Sequence, residues 1–440
     1  MVKTIGIIRE TKNEWERRTP LTPEDAGQLI KSLPLRVLVQ SSDLRIFEDR
    51  QYTSAGAVVT ADLKTADVIL GIKEIKIRDL IPAKVYLFFS HTVKGQAYNM
   101  PMLKKMMDLK CTLIDYEKIM NEKGQRLIFF SLHAGLAGIV ETLWSFGRII
   151  SSRGIKNPFE NIKQTYAYRD LDEIRSAFDN VADVIRKEGL PEDICPLVIG
   201  VAGYGNVARG VHELLDRLPF KTLEPQDLSD TSLMTDRDKI YVTVFRESDM
   251  VEPSARDQEF ELQDYYDHPE KYRSKFAANL PYLSILVNAT YWDTPYPRHV
   301  TRQDLAALYK QHGQPKLCVI GDISCDINGG IEITHKATDP GHPVFTYHPL
   351  KDRFTDGVGE DGIVVMAVDN LPSELPKNAS EYFSGVLKTL IPDLVKTDYS
   401  ASFDQLDLPL TLKDAVIIHR GEFTPGYTYL KEHLESGSGT

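Results

Sequence analysis

Short apolar runs alternate with amphipathic segments along the first third of the chain. Apolar residues recur at helical spacing in Pro23–Ser32 and Met102–Leu109, which predicts two helices. The apolar runs that predict strands are Thr4–Ile8, Arg36–Gln40, Val68–Lys73, Val85–Ser90 and Thr112–Tyr116. Strands that alternate with helices form a mostly parallel sheet covered on both faces. The pattern therefore predicts an α/β domain.

The pattern changes after residue 130, and a second alternation follows. The long apolar segment Ser131–Gly154 predicts a buried helix, and small residues near its start permit close approach of another backbone or a ligand. The polar stretches Gln226–Arg237 and Glu252–Arg273 are predicted to be surface insertions. The strands predicted in this region are Leu197–Ala202, Lys221–Leu223, Ile240–Phe245, Ile285–Ala289, Lys316–Ile320 and Ile363–Val368.

These two alternations predict an α/β protein with two Rossmann-like domains. We expect residues 131–376 to form the dinucleotide-binding domain, and residues 1–130 with 377–440 to form the substrate and catalytic domain. The last part of the chain is predicted to contain a helix at Ser380–Leu390 and a disordered Gly/Ser-rich tail at Glu435–Thr440.

Composition narrows the class of protein. The 440 residues carry a formal net charge of −11, which does not attract nucleic acid or anionic lipid. No apolar run is long enough to cross a bilayer, and no targeting pattern precedes the first strand, so we expect a cytoplasmic enzyme. The four cysteines form no CxxC pair and the histidines form no HExxH pair, so we expect neither disulfides nor a metal site.

A glycine-rich turn follows the apolar strand that begins at Leu197. The segment Gly203–Ala208 has the sequence GYGNVA, which matches the GxGxxA form of a dinucleotide-binding turn and leads into a helical pattern. Glycines there permit the tight turn and the approach of the pyrophosphate, which the helix N-terminus faces. The residues predicted to bind the cofactor at this turn are Gly203, Tyr204, Gly205, Asn206 and Val207.

Charged residues near this turn leave the choice of cofactor open. Glu224 lies about 20 residues after the turn, at the end of the next predicted strand, where an acid accepts hydrogen bonds from a ribose 2′-hydroxyl and favours NAD. Arg209 or Arg246 would instead pair with a 2′-phosphate and favour NADP. We therefore expect NAD or NADP as the cofactor, with Glu224 and Arg246 as further candidate contacts.

Several charged residues stand where strands of the first domain are predicted to end. Ligands bind at the carboxyl ends of parallel strands, so we expect these side chains to share one site. The candidates are Arg18, Lys73, Glu74, His91, Lys94, Glu117 and Arg126.

Eight segments carry a resemblance to a known enzyme family. They are WERRTPLTP from Trp15, FFSHTVK from Phe88, LIDYEK from Leu113, AGLAG from Ala134, GYGNV from Gly203, DHPEKY from Asp267, GDISCD from Gly321 and VDNLPSELP from Val368. Over nearly its whole length the chain resembles the lysine–2-oxoglutarate reductase half of animal and plant bifunctional lysine-degrading enzymes. It is more distantly similar to fungal lysine-forming saccharopine dehydrogenase and to alanine dehydrogenase. No segment resembles the saccharopine-cleaving half, so we expect a free-standing reductase.

The resemblance implies two Rossmann-like domains separated by an active-site cleft. It assigns the acid–base pair to Lys73 and His91, whose pKa values Glu74 and Glu117 would adjust. The remaining residues that it implies are Arg18 and Arg126 for substrate binding, Asp322 beside the substrate or cofactor, and Asn370, Leu371 and Pro372 in the loop that approaches the nicotinamide. Lys94 is a further candidate for substrate binding.

The implied reaction is the reductive condensation of L-lysine with 2-oxoglutarate to saccharopine. The resemblance favours NADPH as reductant, whereas Glu224 favours NADH. The segment Ser131-Leu132-His133 departs from the Gly-Gln-Trp or Gly-Phe-Tyr of relatives, so another amine donor stays open. The alternatives are an alanine dehydrogenase-like or other opine-type dehydrogenase and, in another class, a non-catalytic NAD(P)-binding sensor. The expected partners are small-molecule substrates, and the sequence leaves the oligomeric state open, a homo-oligomer included.

Overall fold

The computed structural model describes residues 3–255, 257–359 and 361–436. Contacts within the chain divide it into two compact units. The first unit contains Met1–Phe129 and Pro376–Thr440, and the second contains Phe130–Leu375. Each unit is built on its own eight-stranded sheet, and both sheets are mainly parallel. The predicted α/β fold with two mainly parallel sheets is therefore confirmed.

The first unit begins with alternating strands and helices. Its first strands and helices are β1 (Lys3–Ile7), α1 (Pro23–Ser32), β2 (Leu35–Gln40), α2 (Asp49–Ser54), β3 (Val58–Thr60), β4 (Val68–Leu70), β5 (Val85–Phe88), α3 (Met100–Asp108) and β6 (Thr112–Asp115). Helix α1 has its predicted bounds, because the Thr22 side chain accepts a hydrogen bond from the Asp25 N–H and fixes its start. Strands β4 and β5 end earlier than predicted, which leaves Lys73 and His91 in loops.

The second unit contains the glycine-rich turn. Its helices are α4 (Ser131–Ser152), α5 (Leu171–Glu188), α6 (Asn206–Leu215), α7 (Glu247–Met250), α8 (Leu262–Asp267) and α9 (Arg302–His312). Its strands are β7 (Val198–Ala202), β8 (Phe220–Thr222), β9 (Ile240–Phe245), β10 (Val251–Pro253), β11 (Tyr272–Ser274), β12 (Ile285–Asn288), β13 (Val319–Asp322), β14 (Val344–His348), β15 (Arg353–Asp356) and β16 (Ile363–Met366). The large sheet has the order β15-β14-β16-β13-β12-β7-β9-β8, with antiparallel pairing at β14 and β15.

The chain then returns to the first unit. The returning segment forms α10 (Pro376–Lys396), α11 (Leu410–Lys413), β17 (Val416–His419), β18 (Glu422–Phe423) and α12 (Leu430–Ser436). Strand β17 pairs antiparallel with β6, which gives the first sheet the order β18-β17-β6-β5-β4-β1-β2-β3. The helix predicted at Ser380–Leu390 lies inside α10. Of the predicted disordered tail, Glu435 and Ser436 belong to α12, and residues 437–440 lie outside the described residues.

The segment Glu252–Arg273, predicted to be a surface insertion, is an ordered part of the second unit. Strand β10 pairs with β11, Glu252 stands opposite Arg273, and α8 lies between the two strands in sequence. Tyr265 and Tyr272 from this segment are buried in the hydrophobic core. None of the helices described here is both long and apolar enough to span a bilayer.

Two glycines allow α4 and α6 to pack backbone against backbone. A Cβ atom on Gly135 would lie 1.9 Å from the carbonyl oxygen of Val207, and one on Gly210 would lie 2.1 Å from that of Leu132. No side chain fits at either position. The small residues at the start of α4 therefore serve a helix–helix contact, which fixes the helix that follows the glycine-rich turn.

Two glutamates are buried together in the second unit. Glu141 on α4 and Glu374 near the end of the unit are almost fully inaccessible to solvent. Burial raises the pKa of both carboxyl groups, and the charge of Glu141 raises that of Glu374 further. One oxygen of Glu141 accepts the Thr165 N–H at 2.6 Å, and the other three oxygens find no donor among the described residues. The raised pKa values favour a protonated carboxyl group at this buried pair.

Candidate active site

The carboxyl ends of β1, β4, β5 and β6 lie side by side in the first sheet. Because these strands are parallel, the loops that follow them leave the same edge of the sheet. Charged residues in these loops include Glu10 and Lys12 after β1, Lys73 and Glu74 after β4, His91 after β5, and Glu117 after β6. Residues that are far apart in sequence are thereby collected at one edge.

Glu74 connects two of these loops to its own. The Nδ1 atom of His91 lies 2.6 Å from one Glu74 oxygen, and Nζ of Lys12 lies 3.0 Å from the other. Burial acts to raise the pKa of Glu74, but the hydrogen bond and charge of His91, with the charge of Lys12, hold it below the usual range. An ionised Glu74 requires a proton on Nδ1 of His91, so Nε2 is the ring nitrogen left for proton exchange.

The loop that carries His91 is held by two buried polar residues. His91 has a φ of 47°, an uncommon backbone conformation for a residue other than glycine. Asn99 donates from Nδ2 to the carbonyl oxygen of Ser90 at 2.9 Å, and the Ser90 N–H donates to Asp115 at 3.1 Å. Neither Asn99 nor Asp115 was predicted to take part in this site, although Asp115 stands at the end of β6 like the residues that were.

Lys73 is partly buried, and its pKa lies below the usual range because of burial and the nearby charge of Arg18. Its backbone is fixed by Glu10, whose carboxyl oxygens accept the N–H groups of Ile72 at 2.6 Å and Lys73 at 3.1 Å. Burial and the charge of Glu16 raise the pKa of Glu10 to about 8. Glu10, which stands in the loop after β1, was not among the predicted site residues.

Arg18 lies in a buried ion pair. Its Nε and Nη2 atoms donate to the two carboxylate oxygens of Glu16 at 2.7 and 2.6 Å, and both side chains are almost fully buried. The charge of the buried guanidinium lowers the pKa of Lys73. The predicted contact of Arg18 with a substrate carboxylate stays a prediction. Glu16 was not predicted.

Arg126 and Lys94 are the accessible cations of the predicted substrate set. Arg126 forms an ion pair with Glu117, and 47% of its side chain is exposed. Lys94 is exposed and lies three residues after His91. The N–H of Glu117 donates to Asp115 at 2.8 Å. The carboxylate of Asp115 also accepts the N–H of Ser90, so it connects the loop of Glu117 with the loop of His91. The roles assigned to these residues stay predictions.

The glycine-rich turn has the geometry that a pyrophosphate requires. Gly203 has a φ of 99°, and a Cβ atom on it would lie 2.9 Å from the Ala289 carbonyl oxygen, so only glycine fits. A Cβ atom on Gly205 would meet nothing within 4 Å, which leaves open space before the first turn of α6. The N–H groups of that turn, including Asn206 and Val207, are available to an anion. These residues fit a dinucleotide.

Strand order corrects the prediction for Glu224. In a dinucleotide-binding sheet the ribose acid follows the strand adjacent to the glycine turn. Strand β7 pairs with β9, whereas β8, which precedes Glu224, lies one position further out at the edge. The sequence prediction assumed that the next strand along the chain is also the neighbour in space. The residues that follow the adjacent strand are Arg246 and Glu247.

Glu247 lies in a cavity of about 380 Å³ beside the glycine turn. Tyr266 donates from its hydroxyl to Glu247 at 2.8 Å, and the hydroxyl of Tyr204 lies 3.5 Å from the same oxygen. The exposed Arg246 has its guanidinium 5.5 Å from the ring centre of Tyr204. The aromatic residues that line the cavity are Tyr204, Tyr265, Tyr266, Tyr291 and Tyr296. Neither Glu247 nor these rings, apart from Tyr204, were predicted, since the insertion brings two of them here.

Asp322 is only 1% exposed, which corrects the expectation that it contacts the substrate. Its carboxyl group accepts hydrogen bonds from Asn288 at 2.8 Å and Thr334 at 2.5 Å, and burial raises its pKa to about 6. Asn288 in turn accepts a hydrogen bond from Thr290, which lines the cofactor cavity. Asp322 therefore positions a cavity residue without reaching the cavity.

The predicted nicotinamide loop follows β16. Asn370 is partly exposed in the left-handed conformation, with a φ of 63°. Leu371 and Pro372 are buried, and Leu371 belongs to the hydrophobic core of the second unit. Within this loop the side chain of Asn370 is thus partly accessible, and the roles predicted for Asn370, Leu371 and Pro372 at the nicotinamide stay predictions.

Comparison with solved structures defines the class of protein. An L-alanine dehydrogenase superposes with a TM-score of 0.62 at 15% identity, covering 99% of this chain and 100% of that chain. The transhydrogenase from Sinorhizobium meliloti gives a TM-score of 0.56 at 17% identity, covering 96% and 100%. The chain is thus a two-domain α/β protein with the alanine dehydrogenase-like fold.

Residues 6–137 match the family described as alanine dehydrogenase/PNT, N-terminal domain. The chain is homologous over 98% of its length to alpha-aminoadipic semialdehyde synthase, with 38% identity to the Arabidopsis thaliana protein and 33% to the mitochondrial protein of Rattus norvegicus. It spans 42% and 48% of their lengths. A Neurospora crassa saccharopine dehydrogenase [NAD(+), L-lysine-forming] is 26% identical over 90% of this chain and 91% of its own. The resemblance inferred from the motifs is confirmed.

Proposed function

We propose that this chain condenses L-lysine with 2-oxoglutarate and reduces the product to saccharopine, using a nicotinamide dinucleotide. The observation that carries the proposal is the partly buried Lys73, with its lowered pKa, at the same sheet edge as the His91–Glu74 pair. The homology to alpha-aminoadipic semialdehyde synthases and to lysine-forming saccharopine dehydrogenases supports the choice of substrates.

Condensation requires an uncharged amine, because an ammonium group has no lone pair with which to attack a carbonyl carbon. A lysine with a lowered pKa accepts a proton from the substrate amine near neutral pH, and we assign this role to Lys73. The amine nitrogen then adds to C2 of 2-oxoglutarate. The carbonyl oxygen takes up protons through Nε2 of His91 and leaves as water, which gives an iminium. The bound cofactor supplies the hydride that reduces C2.

The residues around Lys73 and His91 set the protonation states that these two side chains need. Glu74 holds Nδ1 of His91 protonated, so that proton transfer runs through Nε2. The buried Arg18 favours the neutral form of Lys73. Arg126 and Lys94, whose cationic groups are accessible, bind the carboxylates of the oxo acid. Asn370 approaches the nicotinamide end of the cofactor.

We further propose that NADH is preferred over NADPH. The supporting observation is Glu247, which follows the strand adjacent to the glycine turn and accepts a hydrogen bond from Tyr266 inside the cavity. A carboxylate there accepts hydrogen bonds from a 2′-hydroxyl and repels a 2′-phosphate. The resemblance to plant and animal reductases favours NADPH, as would an ion pair of Arg246 with the phosphate, so both cofactors belong in the test.

The test follows oxidation of the reduced cofactor with 2-oxoglutarate and one of three additions: L-lysine, ammonium or no amine. We expect turnover with L-lysine and NADH, with saccharopine identified by mass spectrometry. Equal turnover with ammonium would replace the proposal by an alanine dehydrogenase-like activity. Cofactor binding without turnover under any condition would favour a sensor.

A further inference from the structure

A second cavity lies at the opposite edge of the sheet in the second unit. It has a volume of about 290 Å³, close to the lower limit for ligand pockets. Its wall includes Ser284 and Cys318, which precede β12 and β13 at their amino ends. The glycine turn and Glu247 follow the carboxyl ends of β7 and β9. A four-residue strand such as β12 extends for about 13 Å, so this cavity is separate from the cofactor cavity.

Two cationic side chains reach this cavity. Arg153 directly follows α4, and its Nε–H is buried without a hydrogen-bond acceptor among the residues that the structure describes. Lys316 stands on the wall and donates to the backbone carbonyl oxygen of Cys195 at 3.2 Å. A buried donor on a charged group is costly when it lacks an acceptor, so an anion placed here satisfies Arg153.

The rest of the wall combines apolar side chains with the polar Ser284 and Gln314. Phe146 and Ile150 from α4 and Ile155 after it contribute one side, and Ile194 contributes another. The acid on the wall is Asp193, which is exposed. The arrangement combines a cationic corner with a hydrocarbon wall, which matches a small molecule that carries a carboxylate on a compact apolar group.

We infer that this cavity binds a small carboxylate with a branched hydrocarbon tail, at a site distinct from that of the cofactor. The carboxylate pairs with Arg153 and Lys316, and the tail lies against Phe146 and Ile150. Two sources share this chemistry. An apolar amino acid adds an ammonium group, which Asp193 can accept, whereas a branched fatty or oxo acid does not.

Calorimetric titration of the full chain tests the inference, with L-leucine and 4-methylpentanoate as probes. We expect saturable binding of at least one probe at millimolar concentration. Arg153→Met should weaken it by about tenfold or more, because a charge-assisted hydrogen bond is lost. Arg148→Met, on the exposed face of α4, also removes one positive charge and should leave the affinity within a factor of about two.

The probes and variants separate the remaining outcomes. Tighter binding of L-leucine that Asp193→Asn abolishes identifies an amino acid site, and equal binding of both probes identifies the carboxylate and tail alone. Should Arg153→Met not fold, Lys316→Met on the rim takes its place with the same expectation. Absence of saturable binding by either probe, or binding that survives Arg153→Met and Lys316→Met unchanged, overturns the inference. NADH binding should be unaffected by these variants, so failure here is independent of the proposed reaction.

Discussion

At the scale of single residues, Lys73 is the group on whose charge the proposed chemistry depends. Replacing it by methionine keeps the apolar stem and removes the amine. We expect Lys73→Met to lower kcat by about 10²–10⁴-fold, because general base catalysis contributes factors of that size. The dissociation constant of NADH, measured by fluorescence titration, should stay the same.

The matched control is Lys76→Met, which removes an exposed lysine three residues further on. It should leave kcat within a factor of about two, since exposed charges have weak effects on buried groups. Near-normal turnover in Lys73→Met would remove this residue from the mechanism.

Variants of Glu247 and Glu224 distinguish the assignment of the ribose site from strand order from the assignment based on the sequence. Glu247→Ser should raise the dissociation constant of NADH by about tenfold and reduce its advantage over NADPH, because a hydrogen bond to a charged acceptor is lost. Glu224→Ser, an exposed change after the edge strand, should leave both constants unchanged. The reverse result would restore Glu224 to the ribose position.

The buried pair Glu141–Glu374 predicts how the stability of the second unit depends on pH. Burial raises the pKa of Glu374 above its unfolded value, so the native state keeps a proton that the unfolded state has released above about pH 4.5. Stability is therefore lost as pH rises from there towards the folded pKa. Glu374→Gln does not titrate, and its amide can donate to Glu141.

Urea unfolding at several pH values should show this difference. The decline in unfolding free energy between about pH 5 and pH 8 should be smaller in Glu374→Gln by about 1.4 kcal/mol for each unit of raised pKa. Exposed Glu188→Gln on α5 should retain the wild-type decline. Parallel curves for Glu374→Gln and the wild type would mean that both buried carboxyl groups are ionised.

The site residues that could be predicted from the sequence are those in short motifs. Lys73, His91 and the glycines of the turn stand next to predicted strand ends, so position along the chain was enough. Glu10 and Asn99 act through hydrogen bonds to the backbone of another loop, and Glu247 is assigned only by strand order. These contacts arise from tertiary packing, which a local pattern does not encode.

At the scale of elements, the contact between α4 and α6 can be tested at one atom. Gly135→Ala would place a methyl group on the Val207 carbonyl oxygen. We expect a loss of about 1–3 kcal/mol in unfolding free energy, as for other overpacked sites. Binding of NADH should weaken too, because α6 carries the N–H groups that face the pyrophosphate.

Gly385→Ala on α10 is the matching control, since its Cβ atom would meet nothing within 4 Å. It should raise the unfolding free energy by about 0.5–1 kcal/mol, the ordinary gain of alanine over glycine within a helix. A loss of similar size in both variants would contradict a specific role for the α4–α6 contact.

Elements were predictable where periodicity was strong. Helix α4 begins at its predicted residue, and β9 has its predicted bounds, because long apolar patterns leave few alternatives. Strands β14 and β15 were missed, since polar residues and turns interrupt their pattern. The order β7-β9-β8 was not predictable, because the segment between β7 and β8 passes over the position beside β7 that β9 fills afterwards.

At the scale of the whole molecule, NADH should slow hydrogen exchange in the second unit, and 2-oxoglutarate should slow it in the first. NADH should slow exchange in peptides that cover residues 198–210 and 245–268, where the glycine turn, Glu247 and the tyrosines lie. 2-Oxoglutarate should slow exchange in peptides that cover residues 9–18, 71–75 and 88–94. Exchange measured by mass spectrometry tests this, and protection by NADH confined to the first unit would contradict the placement of the cofactor.

The pairing of β17 with β6 joins the segment that precedes the second unit to the segment that follows it within one sheet. During synthesis, β6 leaves the ribosome about 300 residues before its neighbour, and the edge of β6 meanwhile exposes unpaired N–H and C=O groups. The second unit is continuous in sequence and can fold in that interval. A stop codon placed just before β17 should therefore yield a chain that aggregates through an open strand edge, even though every predicted catalytic residue has been made.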